Sequence, residues 1–256
     1  MAGEAWLILP TYNEAENLAP LVRAALPVLE HAAPAGYRIL VVDDGSPDGT
    51  GRIADALAAE HDAVDVLHRP AKEGLGQAYL AGFEVALREG AGHVLEMDAD
   101  FSHDPGDLAR ILHAAGDADL VLGSRYVQGG AVADWGAWRR LLSRGGCVYA
   151  RAVLGLRQRD LTGGFKCFRR EVLEAVDLPS VRSQGYAFQV ELTYRAVRSG
   201  FRVVEVPILF SQRRVGTSKM SPRIAVEAAW LVPQLRFRFR RATENARRES
   251  SRRVGT

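Results

Sequence analysis

The fold is decided by the stretch HVLEMDADFSHDP, residues 93–105, in which an apolar strand runs into acidic residues and then into a helix start. The apolar run from His93 to Met97 has the length of a buried strand. Asp104 followed by Pro105 is typical of a helix N-cap with proline at the first helical position. A strand that ends in polar residues and turns at once into a helix is the repeating unit of α/β folds.

The same unit recurs on both sides of this stretch. Further strands are predicted at residues 6–9, 37–42, 64–68 and 120–122, and helices at 13–31, 50–61, 76–89 and 105–114. Asn13, with Glu16 three residues later, is expected to cap the first of these helices. The alternation predicts an α/β fold with a mostly parallel central sheet covered on both faces. Ligands of such sheets bind beyond the carboxyl ends of the strands.

The regular alternation of predicted strands and helices ends after Gly123. A loop is predicted at residues 124–138, an amphipathic helix at 139–154, a tight turn at 162–164, a helix at 187–198 and an extended segment at 201–210. No linker or repeat interrupts the sequence, so we expect one catalytic domain over residues 1–220. Residues 221–256 are expected to form an amphipathic helix and a basic, partly disordered tail.

Composition and charge narrow the class of protein. The chain has 256 residues, of which 47% are hydrophobic, so it can bury a sizeable core. Its two cysteines predict no disulfide framework, which favours a reducing, cytoplasmic setting. No signal peptide is apparent, and no apolar run of about 18 residues predicts a membrane-spanning helix.

The net charge is only +2, but residues 236–256 carry eight Arg against two Glu. A basic tail beside apolar residues at helical spacing (Ile224, Ala228, Leu231, Leu235) predicts either contact with an anionic membrane surface or a core-packing helix with a solvated tail. The body of the chain does not interleave aromatic and basic residues, so no nucleic acid is expected as a partner.

Asp98 and Asp100 follow the strand that ends at Met97. Residues two apart in an extended segment face the same side, so both carboxylates can point at one cation. A hard divalent cation such as Mg²⁺ takes one or two carboxylates together with phosphate oxygens. The alternative is a polar turn, but two acids at a strand end are costly without a cation, so we favour a metal site.

Asp43 and Asp44 end another predicted strand. One of them could bind a ribose hydroxyl or a base edge, as acids do in dinucleotide folds, or the segment could be a simple turn. No strand is followed by a glycine-rich dinucleotide or Walker-type phosphate loop. Cations recur later in the chain at Arg125, Lys166 and the stretch from Arg213 to Lys219. The last of these, a small-residue loop with cations, is suited to folding over a diphosphate.

Five segments occur in order: LPTYNE (residues 9–14), VDDGSPDGT (42–50), DADFSH (98–103), GSRY (123–126) and RRVGTSKM (213–220). Together they resemble the dolichol- and polyprenol-phosphate mannose synthases of glycosyltransferase family 2. The resemblance covers about residues 5–220. It implies a single GT-A domain, a Rossmann-like fold of transferases that use nucleotide-diphospho-sugars, followed by C-terminal amphipathic helices.

The resemblance also implies the substrates. The donor would be GDP-mannose, the acceptor a polyprenyl phosphate, and the cofactor Mg²⁺ or Mn²⁺; the product of inverting transfer would be a β-mannosyl phosphate. The residues that match nucleotide-sugar-binding positions are Pro10, Tyr12, Glu14, Val42, Asp44, Asp98, Ala99, Asp100, Arg125, Arg213 and Lys219. Those that match metal-binding positions are Asp98, Asp100 and Ser102, and the catalytic pair would be Asp100 and Arg125.

Acceptor-phosphate contacts are expected from Ser124, Lys166 and Gln189. Lys166 departs from the Arg of the family pattern, and Gly164 stands where a Ser is expected. Because a phosphate monoester has its second pKa near 6, we expect Asp100 to act as metal ligand and orienting group and not as an obligate base. The alternatives are glucosyl transfer from UDP-glucose and a non-catalytic nucleotide-sugar-binding protein.

The resemblance also bears on how the protein binds a membrane. Family members often carry transmembrane helices after the catalytic domain, and none is predicted in this chain. We therefore expect peripheral binding to the cytoplasmic face of a membrane, through the basic tail and adjacent helices or through a separate membrane-anchoring protein.

Overall fold

A computed structural model of the protein describes residues 3–133, 135–212 and 230–237. Its centre is a seven-stranded sheet in the order β3-β2-β1-β4-β7-β5-β8. The strands are β1 (Ala5–Thr11), β2 (Tyr37–Asp43), β3 (Val64–His68), β4 (His93–Glu96), β5 (Leu120–Ser124), β7 (Lys166–Arg169) and β8 (Val203–Pro207). Two short parallel strands, β6 (Ala131–Val132) and β9 (Leu209–Phe210), form a separate pair.

Helices cover both faces of this sheet. They are α1 (Leu18–Ala32), α2 (Thr50–Glu60), α3 (Leu75–Arg88), α4 (Asp107–Ala115), α5 (Ala137–Leu154), α6 (Arg170–Ala175), α7 (Gly185–Arg198) and α8 (230–237). A 3₁₀ turn spans Leu178–Ser180. The mostly parallel α/β architecture predicted from the sequence is confirmed.

The residues of β1 divide the core between the two faces. Leu7 and Leu9 pack with α1, α2 and α4 in one buried cluster, whereas Trp6 and Ile8 pack with α3 and α7 in the other. This alternation follows from the two-residue period of a strand. The approach of α3 is close, because a Cβ atom at Gly82 would lie 2.5 Å from Cγ2 of Ile8. The carboxyl end of β1 is thereby held rigidly from both sides.

The order of strands reverses beside β1. The chain runs from β1 outward to β2 and β3, and then returns to β4 on the other side of β1. Parallel sheets bind ligands at such a switch point. The segment that begins at Asp98 follows β4, and the segment from Thr11 to Tyr12 ends β1, so both lie at this point as the sequence predicts.

Strand β7 is antiparallel to its neighbours β4 and β5, and neither it nor α6 is anticipated from the sequence. Only four residues long, β7 lacks the apolar run that identifies the other strands. Cys167 and Phe168 are nevertheless fully buried, because β7 fills the gap between β4 and β5. Its existence depends on those partners and not on local pattern.

Two predicted helix starts are wrong. The first helix begins at Leu18 and not at Asn13, which has a left-handed φ of 60°. Backbone N–H groups of residues 13–15 instead donate to Ser46 Oγ, Thr50 Oγ1 and Asp48 Oδ2. These contacts with the next β–α turn replace a local helix cap.

The fourth helix likewise begins later than predicted, at Asp107. Asp104 accepts a hydrogen bond from the backbone N–H of Gly106 at 2.8 Å, so its carboxylate closes the turn before the helix. Asp104 therefore has a structural role, as expected, although it does not cap the helix itself.

The predicted C-terminal helix is described only over residues 230–237. Val232 and Leu235 are buried against Ala150 and Leu154 of α5, so this part packs on the core. The remainder of 221–256, including most of the basic tail, lies outside the described residues. No helix in the described ranges is both long and apolar enough to span a membrane.

Candidate active site

A cavity of about 390 Å³ opens at the carboxyl ends of β1, β2, β4 and β5. Residues contributed from these strand ends line it together with residues of α3, α7 and the segment before α5. They include Pro10, Tyr12, Glu14, Asp44, Lys72, Asp98, Ala99, Asp100, Ser102, Arg125, Trp135, Arg139, Thr162, Gly164, Gln189, Phe210 and Gln212. Most of the site residues predicted from the sequence are thus brought together on one wall.

Asp98 and Asp100 form the centre of this wall. The hydroxyl of Tyr79, on α3, donates to Asp98 Oδ1 at 3.4 Å, and the backbone N–H of Ser102 donates to Asp100 Oδ1 at 2.9 Å. Phe101 between them has a left-handed φ of 59°, a conformation unusual for a bulky residue and common at functional sites. The turn allows both acids to line the cavity although they no longer belong to the strand.

The donor set matches a hard divalent cation that is shared with a ligand. Asp98 and Asp100 offer only oxygen atoms, and the hydroxyl of Ser102, also on the cavity wall, has no hydrogen-bond partner among the described residues. Across the described ranges, no three His, Cys, Asp or Glu side chains form a complete metal cage. A two-carboxylate site completed by phosphate oxygens is the arrangement that Mg²⁺ prefers.

Asp44 lies at the end of β2, on one side of the acids. Its Oδ1 atom accepts a hydrogen bond from Arg69 at 2.5 Å, and Arg69 also pairs with Glu73. Burial raises the pKa of Asp44, although the neighbouring guanidinium opposes that rise. Asp44 is therefore a partly neutralised acceptor at the cavity wall, suited to a hydroxyl or an amine donor of a ligand.

Asp43, by contrast, serves the turn. Its carboxylate accepts from Thr11 Oγ1 at 3.1 Å and from the N–H and hydroxyl of Ser46. The sequence left open whether this segment binds a ligand or forms a turn. In the structure Asp44 lines the cavity and Asp43 stabilises the turn. Nearby, the ammonium group of Lys72 lies 3.7 Å from the ring centre of Tyr12, which adds a cation to the same side of the cavity.

Arg125 lies at the end of β5, on the opposite side of the acids. Asp160 accepts from its Nε and Nη2 atoms, each at 2.7 Å, and also from its backbone N–H at 2.9 Å. Thr162 accepts from Nη2 at 2.8 Å. The pair is almost fully buried. Burial opposes both charges, yet the pairing lowers the pKa of Asp160 and raises the pKa of Arg125.

Aromatic rings enclose the guanidinium of Arg125. Its central carbon lies 5.2–5.7 Å from the ring centres of Tyr126, Trp135 and Phe210. The guanidinium of Arg139 also lies over the Trp135 ring, 4.1 Å from its centre. Such cation–π contacts fix the orientation of a guanidinium. No described residue is bonded to Nη1 of Arg125, which leaves this nitrogen for a ligand.

Lys166 is buried and not exposed to the cavity. Its ammonium group donates to the backbone oxygen of Gln189 at 2.9 Å and to Oε1 of the same side chain at 2.5 Å, and it lies 3.6 Å from Glu96. Burial lowers the pKa of Lys166 and raises the pKa of Glu96, while their mutual attraction opposes both changes. The pair holds Gln189, which does line the cavity.

His103, the last residue of the DADFSH segment, is also buried. Its ring lies 5.0 Å from the rings of both Phe165 and Phe210. Burial, reinforced by Arg125, lowers the pKa of His103 to about 4, even though nearby acids raise it. The ring is therefore neutral at physiological pH and serves as packing between β4 and β9.

The structure places the predicted residues in three groups. Pro10, Tyr12, Glu14, Asp44, Asp98, Ala99, Asp100, Ser102, Arg125 and Gln189 line the cavity. Val42, Ser124 and Lys166 are buried behind it, because their side chains fill the sheet and not the space beyond its edge. For Ser124 and Lys166, an acceptor-phosphate contact remains a prediction that this packing does not support. Arg213 and Lys219 lie outside the described residues.

Sequence reasoning missed several residues of the site. Asp160 and Tyr79 hold Arg125 and Asp98, and Lys72, Trp135 and Arg139 line the cavity. The segment DLTGG, residues 160–164, carries a weak signal, since an acid stands directly before a turn of small residues. The other residues carry none, because a lone Tyr, Trp or Lys in a helix or loop is ordinarily packing or surface.

Comparisons with known proteins agree with this geometry. Residues 6–177 match the family model described as glycosyl transferase family 2. The polyprenol monophosphomannose synthase of Mycolicibacterium smegmatis is 53% identical over 237 residues, which cover 91% of this chain and 87% of that protein. The undecaprenyl-phosphate mannosyltransferase of Micrococcus luteus is 50% identical over 86% of this chain and 89% of its own length.

A solved structure shows the same fold. Glucosyl-3-phosphoglycerate synthase from Mycobacterium tuberculosis, in complex with Mn²⁺, UDP-glucose and phosphoglyceric acid, superposes with a TM-score of 0.64 at 17% identity. The match covers 91% of this chain and 78% of that one. With a GT-A fold, a cavity at the switch point of the sheet and relatives at half identity, the chain belongs to glycosyl transferase family 2 and is a glycosyltransferase.

Proposed function

We propose that this protein transfers mannose from GDP-mannose to a polyprenyl monophosphate, with inversion, giving polyprenyl-phosphate β-mannose. The observation that carries the proposal is the identity of 53% and 50% with enzymes named for mannosyl transfer to polyprenol and undecaprenyl phosphate. The cavity supports it, because cationic and carboxylate groups are arranged across it in the order that a nucleotide diphosphate and a phosphate acceptor require.

The nucleotide belongs on the β1–β2 side. Asp44, held by Arg69, and Tyr12, stacked by Lys72, offer an acceptor, a ring face and a cation at the wall. The diphosphate then extends toward the strand end of β4, where Asp98 and Asp100 lie. This direction follows the row of strand ends and brings the transferred sugar toward Arg125.

Asp98, Asp100 and Ser102 would hold a divalent cation, Mg²⁺ or Mn²⁺. The presence of Mn²⁺ together with UDP-glucose in the glucosyl-3-phosphoglycerate synthase structure supports this assignment. When bound, the ion supplies positive charge that neutralises the diphosphate and the nucleotide diphosphate that leaves. The chain itself contributes the orientation of the two carboxylates, through Tyr79 and the backbone of Ser102.

The acceptor needs positioning more than activation. A phosphate monoester is largely dianionic near neutral pH, since its second pKa is near 6, so its oxygen can attack the anomeric carbon without a strong base. Arg125 is permanently charged and its Nη1 atom is directed to no described residue, so it can bind a phosphate oxygen. Asp160, by fixing the guanidinium, makes this contact available before substrate arrives.

The acceptor is a lipid, so the enzyme must work at a membrane surface. We propose peripheral association with the cytoplasmic face, through the basic tail or through a separate anchoring protein.

The donor and the residues Arg213 and Lys219 are part of the same proposal. It places these two cations near the diphosphate, and it is supported by Gln212, on the cavity wall immediately before Arg213.

The test is transfer of radiolabelled mannose from GDP-mannose into a lipid-extractable product, with undecaprenyl phosphate and MgCl₂ supplied. UDP-glucose is run in parallel, and the anomeric configuration of the product is read by NMR. We expect label from GDP-mannose alone, with loss of product on chelation. Product from UDP-glucose alone would replace the proposed donor.

Two matched variants separate catalysis from simple binding. Asp100→Ala removes a cavity carboxylate, whereas Asp104→Ala removes an exposed acid, four residues later, whose hydrogen bond with Gly106 closes a turn. We expect transfer to disappear in the first and to persist in the second. Absence of transfer in the wild type as well as in Asp100→Ala, with donor binding retained in both, would indicate a nucleotide-sugar-binding protein that does not catalyse transfer.

A further inference from the structure

Helix α5 presents two apolar faces, and only one of them is buried. Ser143, Cys147, Ala150 and Leu154 face the core at helical spacing. On the other side, Trp138 is 73% exposed and Leu141 is 65% exposed. Leu142, Val148 and Tyr149 are exposed as well. At about 100° per residue, the stripe that contains these residues lies roughly 170° around the helix axis from the buried face.

Basic residues border this stripe. Arg140 and Arg144 are exposed along one of its edges, and Gly145 and Gly146 have open space where a side chain would stand. The helix contains no acidic residue. A large apolar stripe that is exposed and flanked by Arg is unusual for a surface that faces water alone. Its charge matches an anionic partner and its aromatic residues suit an interface that is apolar on one side and wet on the other.

Helix α8 repeats this arrangement beside α5. Its Val232 and Leu235 are buried against the C-terminal half of α5, whereas Trp230 and Phe237, seven residues apart, are 73% and 64% exposed. Arg236 of α8 donates to the backbone oxygen of Val153. Two adjacent helices therefore each bury one side and expose an aromatic side.

The stripe begins at the end of α5 that lies nearest the cavity. Trp135 and Arg139 line the cavity, and Trp138 and Leu141 lie within the same turns at the start of α5. We propose that the exposed face of α5, extended by Trp230 and Phe237 of α8, lies in the headgroup region of an anionic phospholipid bilayer. A lipid acceptor can then reach the cavity with its phosphate while its hydrocarbon chain stays in the membrane.

This proposal rests on the proposed function only in taking the acceptor to be a lipid. Membrane binding itself is measured without any transfer reaction. The experiment uses sedimentation of sucrose-loaded vesicles, made of phosphatidylcholine alone or with an equal share of phosphatidylglycerol. The test variant is Trp138→Glu/Leu141→Glu. The control is Leu209→Glu, which adds one of the two negative charges of the test variant at a residue that is 53% exposed on β9. Circular dichroism and thermal melting confirm that each variant is folded.

We expect the wild type and Leu209→Glu to bind the anionic vesicles alike, and the double variant to bind at least about tenfold more weakly. Arg140→Gln/Arg144→Gln should lose binding to anionic vesicles selectively, since its apolar stripe is intact. Trp138 should be quenched by brominated lipids, as judged from the signal lost in Trp138→Phe. Undiminished vesicle binding by the double variant, or absence of that quenching, would overturn the proposal.

A variant that lacks residues 238–256 distinguishes membrane binding by this face from membrane binding by the basic tail. If the tail alone carries membrane binding, the shortened chain loses it while the double variant retains it, which also overturns the proposal. Sedimentation equilibrium tests the alternative that a second copy of the chain, and not a membrane, covers this face. A wild-type dimer that ignores vesicles and becomes a monomer in the double variant would assign the face to a second copy of the chain.

Transfer assays distinguish failure of this proposal from failure of the proposed function. With a short, water-soluble prenyl phosphate, the double variant should match the wild type, because the cavity is untouched. With undecaprenyl phosphate in vesicles, its rate should fall about tenfold, in parallel with binding. A wild type that binds vesicles through α5 but transfers mannose to neither acceptor would refute the proposed function and leave the membrane surface standing.

Discussion

The two sides of the cavity are built in different ways. On one side, Asp44 directly follows the parallel strand β2, and Asp98 and Asp100 lie two and four residues after the end of β4. On the β5 side, Arg125 is held by Asp160, 35 residues later, in the segment that precedes the antiparallel strand β7, which the sequence does not predict. The carboxylate side is thus local, and the cationic side depends on contacts between distant segments.

This difference predicts which substitutions should lower activity alone and which should lower stability as well. Removing Asp100 on the local side should cost more activity than stability, because its carboxylate lines the cavity. Removing a partner on the cationic side should cost activity and stability together, since it leaves a buried charge alone.

The largest effect is expected on the local side, from Asp100→Ala. Loss of a carboxylate at the position where the diphosphate charge develops should lower kcat by about a thousandfold or more. The urea midpoint of unfolding should change little. Initial rates of mannose transfer and urea titration followed by circular dichroism measure both. A large fall in stability would show that this side is not independent of the fold.

Asp160→Asn should affect both properties. Its neutral side chain leaves the Arg125 guanidinium buried without a counter-charge, which costs about 3 kcal/mol of stability. A guanidinium out of position should lower kcat by roughly 10–100-fold. Glu60→Gln is the control, because its partner Arg23 and Glu60 are both more than half exposed, and an exposed pair contributes at most about 1 kcal/mol.

The buried pair behind Gln189 provides a third comparison. Lys166→Met leaves Glu96 alone in the core and should lower the free energy of unfolding by about 3 kcal/mol. The double variant Lys166→Met/Glu96→Gln should recover part of this loss, which a double-mutant cycle measures. If Lys166 bound the acceptor phosphate directly, the double variant would instead raise the KM for the acceptor strongly while its stability recovered.

Asp160 also predicts a dependence on pH. Its pKa is lowered from its ordinary value of 3.8, because pairing with Arg125 outweighs the effect of burial. A depressed pKa in the folded state means that the stabilisation is fully present above that ordinary value and is lost as the pH falls through the folded one. The stability difference between wild type and Asp160→Asn should therefore be constant near neutral pH and shrink below about pH 4. Urea titrations across this range measure it.

The smallest effect is expected from Gly164→Ser, which restores the residue of the family pattern. A Cβ atom there would lie 3.4 Å from Asp98 Oδ1 and 3.6 Å from Gln189 Nε2, both ordinary contact distances. Rates and stability should stay within about twofold and 0.5 kcal/mol of the wild type. A large loss of activity would show that the space beside Asp98 is needed by the substrate.

Sequence alone determined the β–α units and the residues at their strand ends. The apolar runs of β2 and β3 and the helix α2 were placed within one residue, and Asp98 and Asp100 were assigned to the cavity that they do line. These features follow from periodicity and from the geometry of parallel strands, both of which act over short stretches of chain.

Tertiary structure decided the rest. Strand β7, the pairing of Arg125 with Asp160 and the burial of Lys166 against Gln189 join residues 23 to 76 positions apart. The start of α1 was likewise moved by hydrogen bonds from the next turn. No local pattern encodes such contacts, because each residue satisfies its charge or hydrogen bond only when the packed sheet brings its partner near, and burial makes that partner obligatory.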